Sequence, residues 1–470
     1  MIAPSLHPDS VSAACERRRR WAFGLTARSI GLLLVGFVWL VPGFWDWRLA
    51  FAMPAWDALV LIFALLDGLR LPAAGELVVS RSWSNAPALD SETEIELTVE
   101  NRGRTIIECR LVDDLPPALV AEPETLRLTA FPRVPASLRY HVQPKERGDW
   151  ETGWLYVRYR SPLGLAERWA RAPLTQTVRI YPALRGGEEQ KIFLARSRQI
   201  DLQLRRSQLR GLGRDFESLR DYREGDDLRD ICWTATARRG TPITRQYQTE
   251  RSQPVWIVID CGRLMRARVA VSLSTKEPNS AANHSKLDYA CTTAVALAQL
   301  ALYSGDRVGL LAYGQGIQQR LLPGRGAAHM RQLIESLAQL RAETSEADHL
   351  RATATLNRLQ PRRSLILWVT DLAETAMRPE VIDGALQLLR RHVLLFVAMA
   401  QPEVELIART RPRNVEQMFR AAAAQEMAGR RELLLARLHE QGALTFDLNP
   451  QALTASVLNQ YLTVKERAMV

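Results

Sequence analysis

Cysteine and lysine are both scarce in this chain, five of each in 470 residues, and neither set is arranged for chemistry. Cys15, Cys109, Cys232, Cys261 and Cys291 form no C-x-x-C pair and fall in different predicted elements. An odd number without close spacing argues for free thiols in a reducing compartment and against a disulfide framework. H-E-x-x-H and paired Cys/His spacings are also missing, which leaves zinc without a ligand cluster. None of the lysines follows a glycine, so there is no Walker A loop, and no G-x-S-x-G or G-x-G-x-x-G follows a strand. His141, His284, His329, His349, His392 and His439 are scattered, as surface or core histidines would be. These absences point away from an enzyme.

The charge balance is basic, +11 with a pI near 9.8, which raises nucleic acid as a partner. The arginines, however, alternate with acids along the whole chain and form no pure basic stripe. A membrane protein obeying the positive-inside rule has the same appearance. Membrane is therefore the expected surroundings, with a nucleic-acid-binding membrane protein as an alternative.

Two apolar runs support the membrane. Residues 29–47 (SIGLLLVGFVWLVPGFWDW) and 49–66 (LAFAMPAWDALVLIFALL) each approach the roughly 20 residues of a bilayer span, and Trp39, Trp45, Trp47 and Trp56 suit an interfacial belt. A signal peptide competes for the first run, but no small-residue cleavage site follows it and a second span does. The reading is a helical hairpin over residues 29–71, preceded by a basic cytoplasmic N-terminus (1–28). Arg17 to Arg20 and Arg28 lie before the first span, Arg70 and Arg81 after the second, and only Arg48 in the short connection. This pattern puts both ends in the cytoplasm and the protein in a bacterial inner membrane as a multi-pass chain. Asp57 is costly inside a span, by about 2.5–3.5 kcal/mol on insertion scales, and favours a second helix displaced to residues 56–71.

Beyond the hairpin the rhythm changes twice. Residues 76–182 hold short alternating runs such as ELVVSRSW, EIELTVENRG and WLYVRYRS between Pro, Gly, Asn and Asp turns, the pattern of an all-β sandwich. A charged segment follows (183–253), and from 254 to 470 apolar strands alternate with helices of ten or more residues. Strands are expected at VWIVID, RVGLLAY, SLILWVTD, HVLLFVAMA and GALTFDL. Helices are expected over 287–303, 327–340, 350–359, 379–390, 415–440 and 451–465. This order predicts right-handed crossovers and a parallel, doubly wound α/β sheet. Asp260 and Asp371 end two of the strands, where open sheets bind ligands.

Within the charged segment, residues 228–239 read as a helix with an acidic cap at Gly225-Asp226-Asp227 and a glycine stop at Gly240. Leu228, Ile231, Cys232 and Ala235 would form its apolar face, with Trp233 beside it. Arg220, Arg223, Arg229, Arg238 and Arg239, interleaved with acids, are candidate partner-binding residues, the bland reading being a solvated brace.

The membrane hairpin, a β-domain with KERGDW, RSPLGL and RIYP, the stretch GRDFESLRDYREGDDLRDICWTATARRG, and VWIVIDCGRLM followed by SKLDYA together resemble domain-of-unknown-function family 58. The C-terminal half of that family resembles von Willebrand factor A domains. The resemblance implies protein–protein interaction, with MoxR-type AAA+ ATPases as partners in assembly or maturation of complexes. It also implies a metal-ion-dependent adhesion site built from D-x-S-x-S, a threonine and a second aspartate. Asp260 and Asp371 match the two aspartates, but Gly262 and Leu264 stand at the serine positions and the threonine position falls near Ala347. A vestigial site with no cofactor is expected, since Mg²⁺ wants near-octahedral oxygen ligation. A metal-dependent hydrolase using Asp260 and Asp371 is the remaining alternative.

Overall fold

The structure is a computed structural model that describes residues 10–17, 23–43, 47–123, 125–183, 215–223, 228, 231–248, 253–270, 283–372 and 380–467. The chain divides into two compact units, Met1–Ala183 and Leu184–Val470.

Among the described residues the first unit is built mainly from thirteen strands. Three short ones, β1 (Val11–Ala14), β2 (Glu16–Arg17) and β3 (Phe23–Leu25), precede the helices. Then come β4 (Leu77–Trp83), β5 (Thr93–Asn101), β6 (Ile107–Asp113), β7 (Leu119–Glu122), β8 (Leu126–Ala130), β9 (Ala136–Pro144), β10 (Gly148–Thr152), β11 (Leu155–Arg160), β12 (Ala166–Ala172) and β13 (Gln176–Ile180). One sheet has the order β1-β4-β5-β9-β7, another β2-β12-β11-β6-β8 with β3 also beside β12, and β10 pairs with β13. Strict alternation puts Leu77, Val79, Ile95, Leu97 and Val99 inward from the first sheet, against Ile107, Leu111, Leu155, Val157 and Tyr159 from the second. The expected sandwich is present, and residues 11–17 and 23–25, read from sequence as part of a basic N-terminus, contribute edge strands to it. Runs of two to four residues are too short for a period of two to register in sequence.

Arg81 occupies an inward position of β4 and is fully buried. Its Nε donates to Asp113 at 3.0 Å and its Nη1 to Thr152 Oγ1 and the Leu174 carbonyl, both at 2.8 Å, while Tyr140 donates to Asp113 at 2.5 Å. Arg81, Asp113, Thr152 and Tyr140 thus satisfy one another inside the sandwich, as burial requires.

The first apolar run is not one long helix. It forms α1 (Ala27–Gly36), capped by Thr26, then a single 3-10 turn and a short α2 (Leu40–Gly43). Gly36 and Pro42 interrupt its regularity. The second run forms α3 (Ala52–Arg70), 19 residues with a mean hydropathy of 1.6. Among the described residues, α3 alone is long and apolar enough to cross a membrane. It lies between the two placements expected from sequence, and Ile62, Phe63, Leu65 and Leu66 are exposed on it. A core helix of a soluble protein would bury these side chains. At its end, buried Asp67 accepts from Ser161 Oγ at 2.7 Å and from the Leu165 N–H at 3.1 Å, tying α3 to the β11–β12 turn.

Among the described residues the second unit begins with an antiparallel pair, β14 (Asp215–Asp221) and β15 (Ile243–Gln248), separated in sequence by α4 (Trp233–Arg239). Next come β16 (Pro254–Asp260) and the small pair β17 (Arg268–Ala270) and β18 (Asn283–Ser285). Then follow α5 (Lys286–Tyr303), β19 (Arg307–Tyr313), β20 (Ile317–Gly324), α6 (Gly326–Ala338), α7 (His349–Leu359), β21 (Leu365–Thr370), α8 (Glu380–Leu389), β22 (Val393–Met399), α9 (Pro402–Arg409), α10 (Val415–Glu440), β23 (Leu444–Leu448) and α11 (Leu453–Glu466). The main sheet has the order β20-β19-β16-β21-β22-β23, parallel except for β20, which runs antiparallel to β19. The sheet is therefore mixed, not wholly parallel. Neither β20 nor α9 is marked by the sequence pattern, because β20 is a half-exposed edge strand rich in glutamine and α9 is short. The chain winds away from β16 in both directions, so the carboxyl ends of β16 and β21 flank the topological switch point.

Candidate functional site

Asp260 is the last residue of β16, and Thr370 and Asp371 end β21 and begin the following loop. Both strands are apolar on both faces, as a sheet covered by helices demands, and the polar residues at their ends are held in place by the sheet register. Asp260 Oδ1 accepts from the Gly262 N–H at 2.7 Å and Oδ2 from Thr370 Oγ1 at 2.6 Å. Burial pushes the Asp260 carboxyl up to about 6, against these two donors and with the help of the Asp371 charge.

Asp371 is in the opposite situation. Lys286 Nζ lies 2.5 Å from its Oδ2, Gln401 Nε2 donates to the same oxygen at 3.0 Å, and Arg431 Nη1 donates to Oδ1 at 3.1 Å. Arg431 also forks onto Asp447 of β23 at 2.8 and 2.9 Å. Burial raises the Asp371 carboxyl, but Lys286 and Arg431 outweigh it and hold the group below the usual carboxylate range. Burial in turn pulls Lys286 below the usual lysine range, opposed by Asp371. Two cations and two carboxylates balance, and among the described residues no cation pairs with Asp260.

Local sequence explains the lysine. Ser285 and Asp288 form a capping box: the Asp288 N–H donates to Ser285 Oγ at 3.2 Å, and Asp288 Oδ2 accepts from the Ser285 N–H at 3.0 Å. The box fixes the start of α5 and sets Lys286 as its first residue, with its side chain driven into the switch point. Its ammonium also faces the Met399 carbonyl at 3.4 Å, at the end of β22.

These contacts decide how the pair read as a metal site can act. Both oxygens of Asp371 already face fixed cations or an amide donor, and a divalent ion there would have to displace Lys286. Among the described residues no group of three or more His, Cys, Asp or Glu is arranged to hold a metal. The loop at residues 343–348 does come to the predicted place, with the Glu343 N–H on the Cys261 carbonyl at 2.7 Å and the Arg263 N–H on the Ser345 carbonyl at 2.9 Å. A Cβ at Gly262 would stand 2.9 Å from the Ala347 nitrogen. A serine ligand at position 262 therefore has no room. The arrangement does not fit Mg²⁺ and fits an edge in which Asp371 is already neutralised by fixed side chains.

The arginine set lies elsewhere. The predicted helix over residues 228–239 is only Trp233–Arg239, with Cys232 as its N-cap and Gly240 as a left-handed C-cap at φ 73°. Of its expected apolar face, Ile231 and Cys232 are buried, but Leu228 is exposed and Trp233 is 70% exposed. Ile231 bridges to Thr244 and the Cys232 N–H bonds the Ile243 carbonyl, so strand pairing ends the helix before it can extend back to 228. Arg220 donates to the Asp221 carbonyl at 3.2 Å and Arg239 lies 3.9 Å from the exposed Asp221 carboxylate. Arg223 and Arg238 are exposed, whereas Arg229 and the acidic cap at 225–227 lie outside the described residues. In chain order the hairpin precedes β16, and Asp260 is that strand's last residue. Lys286 and Arg431, which sequence reading missed, are the residues that converge on Asp371; the S-x-x-D box was the available signal for the first, and none marked the second.

"Uncharacterized protein Rv1480" of Mycobacterium tuberculosis and "Uncharacterized protein Mb1516" of Mycobacterium bovis are each 27% identical over 201 residues, which cover 42% of this chain. The chain spans 58% of the length of these relatives. Among solved structures, BatB from Bacteroides thetaiotaomicron aligns at 13% identity and a TM-score of 0.27, over 45% of this chain and 99% of that one. An uncharacterized membrane spanning protein from Vibrio fischeri aligns at 13% identity and a TM-score of 0.17, over 44% and 96%. At such scores the fold rests on the strand order itself. Residues 218–407, which run from β14 into α9 and include Asp260, Lys286 and Asp371, match the family described as "Protein of unknown function DUF58".

Proposed function

We propose that this protein is a membrane-anchored docking protein whose α/β unit, similar to a von Willebrand factor A domain with a degenerate adhesion site, binds protein partners without a metal. The saturation of Asp371 by Lys286, Gln401 and Arg431 carries this reading, because a fixed ammonium supplies the charge that a metal would bring. The strand order 3-2-1-4-5-6 with an antiparallel edge supports the resemblance. The exposed Trp233, Arg238 and Arg239 on this one short helix support docking, since tryptophan and arginine dominate interface hot spots. The partner suggested by the family resemblance is a MoxR-type AAA+ ATPase, with a role in assembly or maturation of complexes.

The anchor in this reading is α3 together with the broken α1–α2 segment packed on it, where Trp56 Nε1 donates to the Leu32 carbonyl at 2.9 Å. Both ends would then face the cytoplasm of a bacterial inner membrane. The test is capture of a purified MoxR-type ATPase by the full-length protein in detergent. Trp233→Ala combined with Arg238→Glu should weaken capture without moving the melting temperature, because exposed substitutions typically change stability by less than about 0.5 kcal/mol. Undiminished capture by this variant would reject the hairpin as the docking surface.

A further inference from the structure

The outward face of the β2-β12-β11-β6-β8 sheet carries charge in an order that folding alone does not favour. Register places Arg127, Arg110, Arg158 and Trp169 in one cross-strand row, and Thr129, Glu108, Arg160 and Glu167 in the next. Arg160 pairs with Glu108 at 2.7 Å and Arg158 with Glu167 at 2.6 Å. Arg110 and Arg127 stand directly opposite each other, and no carboxylate pairs with either among the described residues. Like charges directly opposite on a sheet are destabilising. A cleft of about 350 Å³ opens over these rows, lined by Arg110, Arg127, Arg158 and Arg160 and by Thr26 and Ala27. Its six charged side chains, the four arginines with Glu108 and Glu167, leave an excess of two positive charges.

We infer that this cleft binds the phosphate headgroup of an anionic membrane lipid. The inference rests on the membrane-anchored reading above. Guanidinium forks match phosphate oxygens in geometry and charge, and a bound phosphate would relieve the Arg110–Arg127 opposition. The lipid, and not a free anion, is indicated by what adjoins the cleft. Thr26 and Ala27 open α1, and Ile30, Leu34 and Val38 follow Ala27 at helical spacing, all exposed. Acyl chains of a lipid seated by its phosphate would lie along that stripe. A basic pocket at the cytoplasmic end of a membrane helix has the charge to attract such headgroups.

The test uses full-length protein, delipidated in mild detergent and titrated with phosphatidylglycerol, phosphatidylcholine or inorganic phosphate while its melting temperature is followed. Phosphatidylglycerol should raise the melting temperature saturably and phosphatidylcholine should not. Arg110→Gln with Arg127→Gln should weaken the apparent affinity roughly tenfold or more, the scale of one charge-assisted hydrogen bond, with an unliganded melt equal to or above the parent. Glu108→Gln, which frees Arg160, should strengthen it, and Arg139→Gln on the other sheet should leave it unchanged. An equal response in the double variant, or no gain in Glu108→Gln, overturns the site. A shift reproduced by inorganic phosphate at the same concentration overturns the lipid as ligand. Release of the protein from membranes by alkaline carbonate overturns the anchor as well, whereas retention with no phosphatidylglycerol selectivity removes the lipid site alone.

Discussion

Replacing Lys286 by methionine tests the fixed-cation argument most directly. Methionine keeps the length and apolar stem of the side chain and removes the ammonium 2.5 Å from Asp371. Breaking a buried pair by removing one partner costs about 3–5 kcal/mol. Arg431 and Gln401 remain on Asp371, so the lower end, about 3 kcal/mol, is expected. For a domain of this size that corresponds to a fall of roughly 6–12 °C in melting temperature. Adding Asp371→Asn removes the stranded charge, and the double variant should recover about 1–3 kcal/mol relative to the sum of the single changes. Magnesium gives the sharper readout. The parent should show no Mg²⁺-dependent shift, because the cation position is taken, whereas Lys286→Met should be partly rescued in a saturable way. A ligand bound only by the folded state stabilises it by about 1.4 kcal/mol at ten times its dissociation constant. Thermal melts of full-length protein in detergent with Mg²⁺ or with EDTA measure all of these terms. A Lys286→Met melt equal to the parent's, or a parent that itself responds to Mg²⁺, would refute the argument.

Asp260 should make stability fall with rising pH. Its folded value near 6 lies above the unfolded one, so its contribution is complete below about 4 and is lost as pH rises through 6. Asp260→Asn should therefore gain on the parent between pH 4 and pH 7, by up to about 3 kcal/mol; a pH-independent difference in melting would contradict this. His349 and His392 act in the reverse sense, since burial lowers both to about 4 and their contribution is lost as pH falls from 6.5 toward 4. His349→Gln should flatten the acid limb of the stability curve, and an unchanged limb would remove it as a cause. Arg81→Met strands Asp113 inside the sandwich and should cost about 3–5 kcal/mol in urea unfolding, with partial recovery on adding Asp113→Leu. A reporter fused after Val470 should be active only in the cytoplasm, and periplasmic activity would overturn the topology.

Much of the architecture was written in local patterns. VWIVI, LILWV and VLLFVAM are continuously apolar because helices cover both faces of the sheet, and that alone set them as central strands, with Asp260 closing the first and Asp371 just beyond the second. The alternation in LVVSRSW and TEIELTVEN likewise announced a sandwich. Weak or interrupted patterns misled: Gly36 and Pro42 divide a run that hydropathy averages into one span, the edge strand β20 has no continuous apolar face, and the helical spacing from Leu228 gave way to pairing with β15. What tertiary structure decided was the chemistry at the switch point. Lys286 and Arg431 lie 85 and 60 residues from Asp371 in the chain, and their convergence depends on crossovers that no local spacing encodes. The same holds for Arg81 and Asp113, and for the arginine rows on the sandwich, where strand register alone makes neighbours of residues that look in sequence like ordinary solvated charges. Periodicity is a property of a segment and can be read from it, whereas the environment of a charge is a property of everything packed around it.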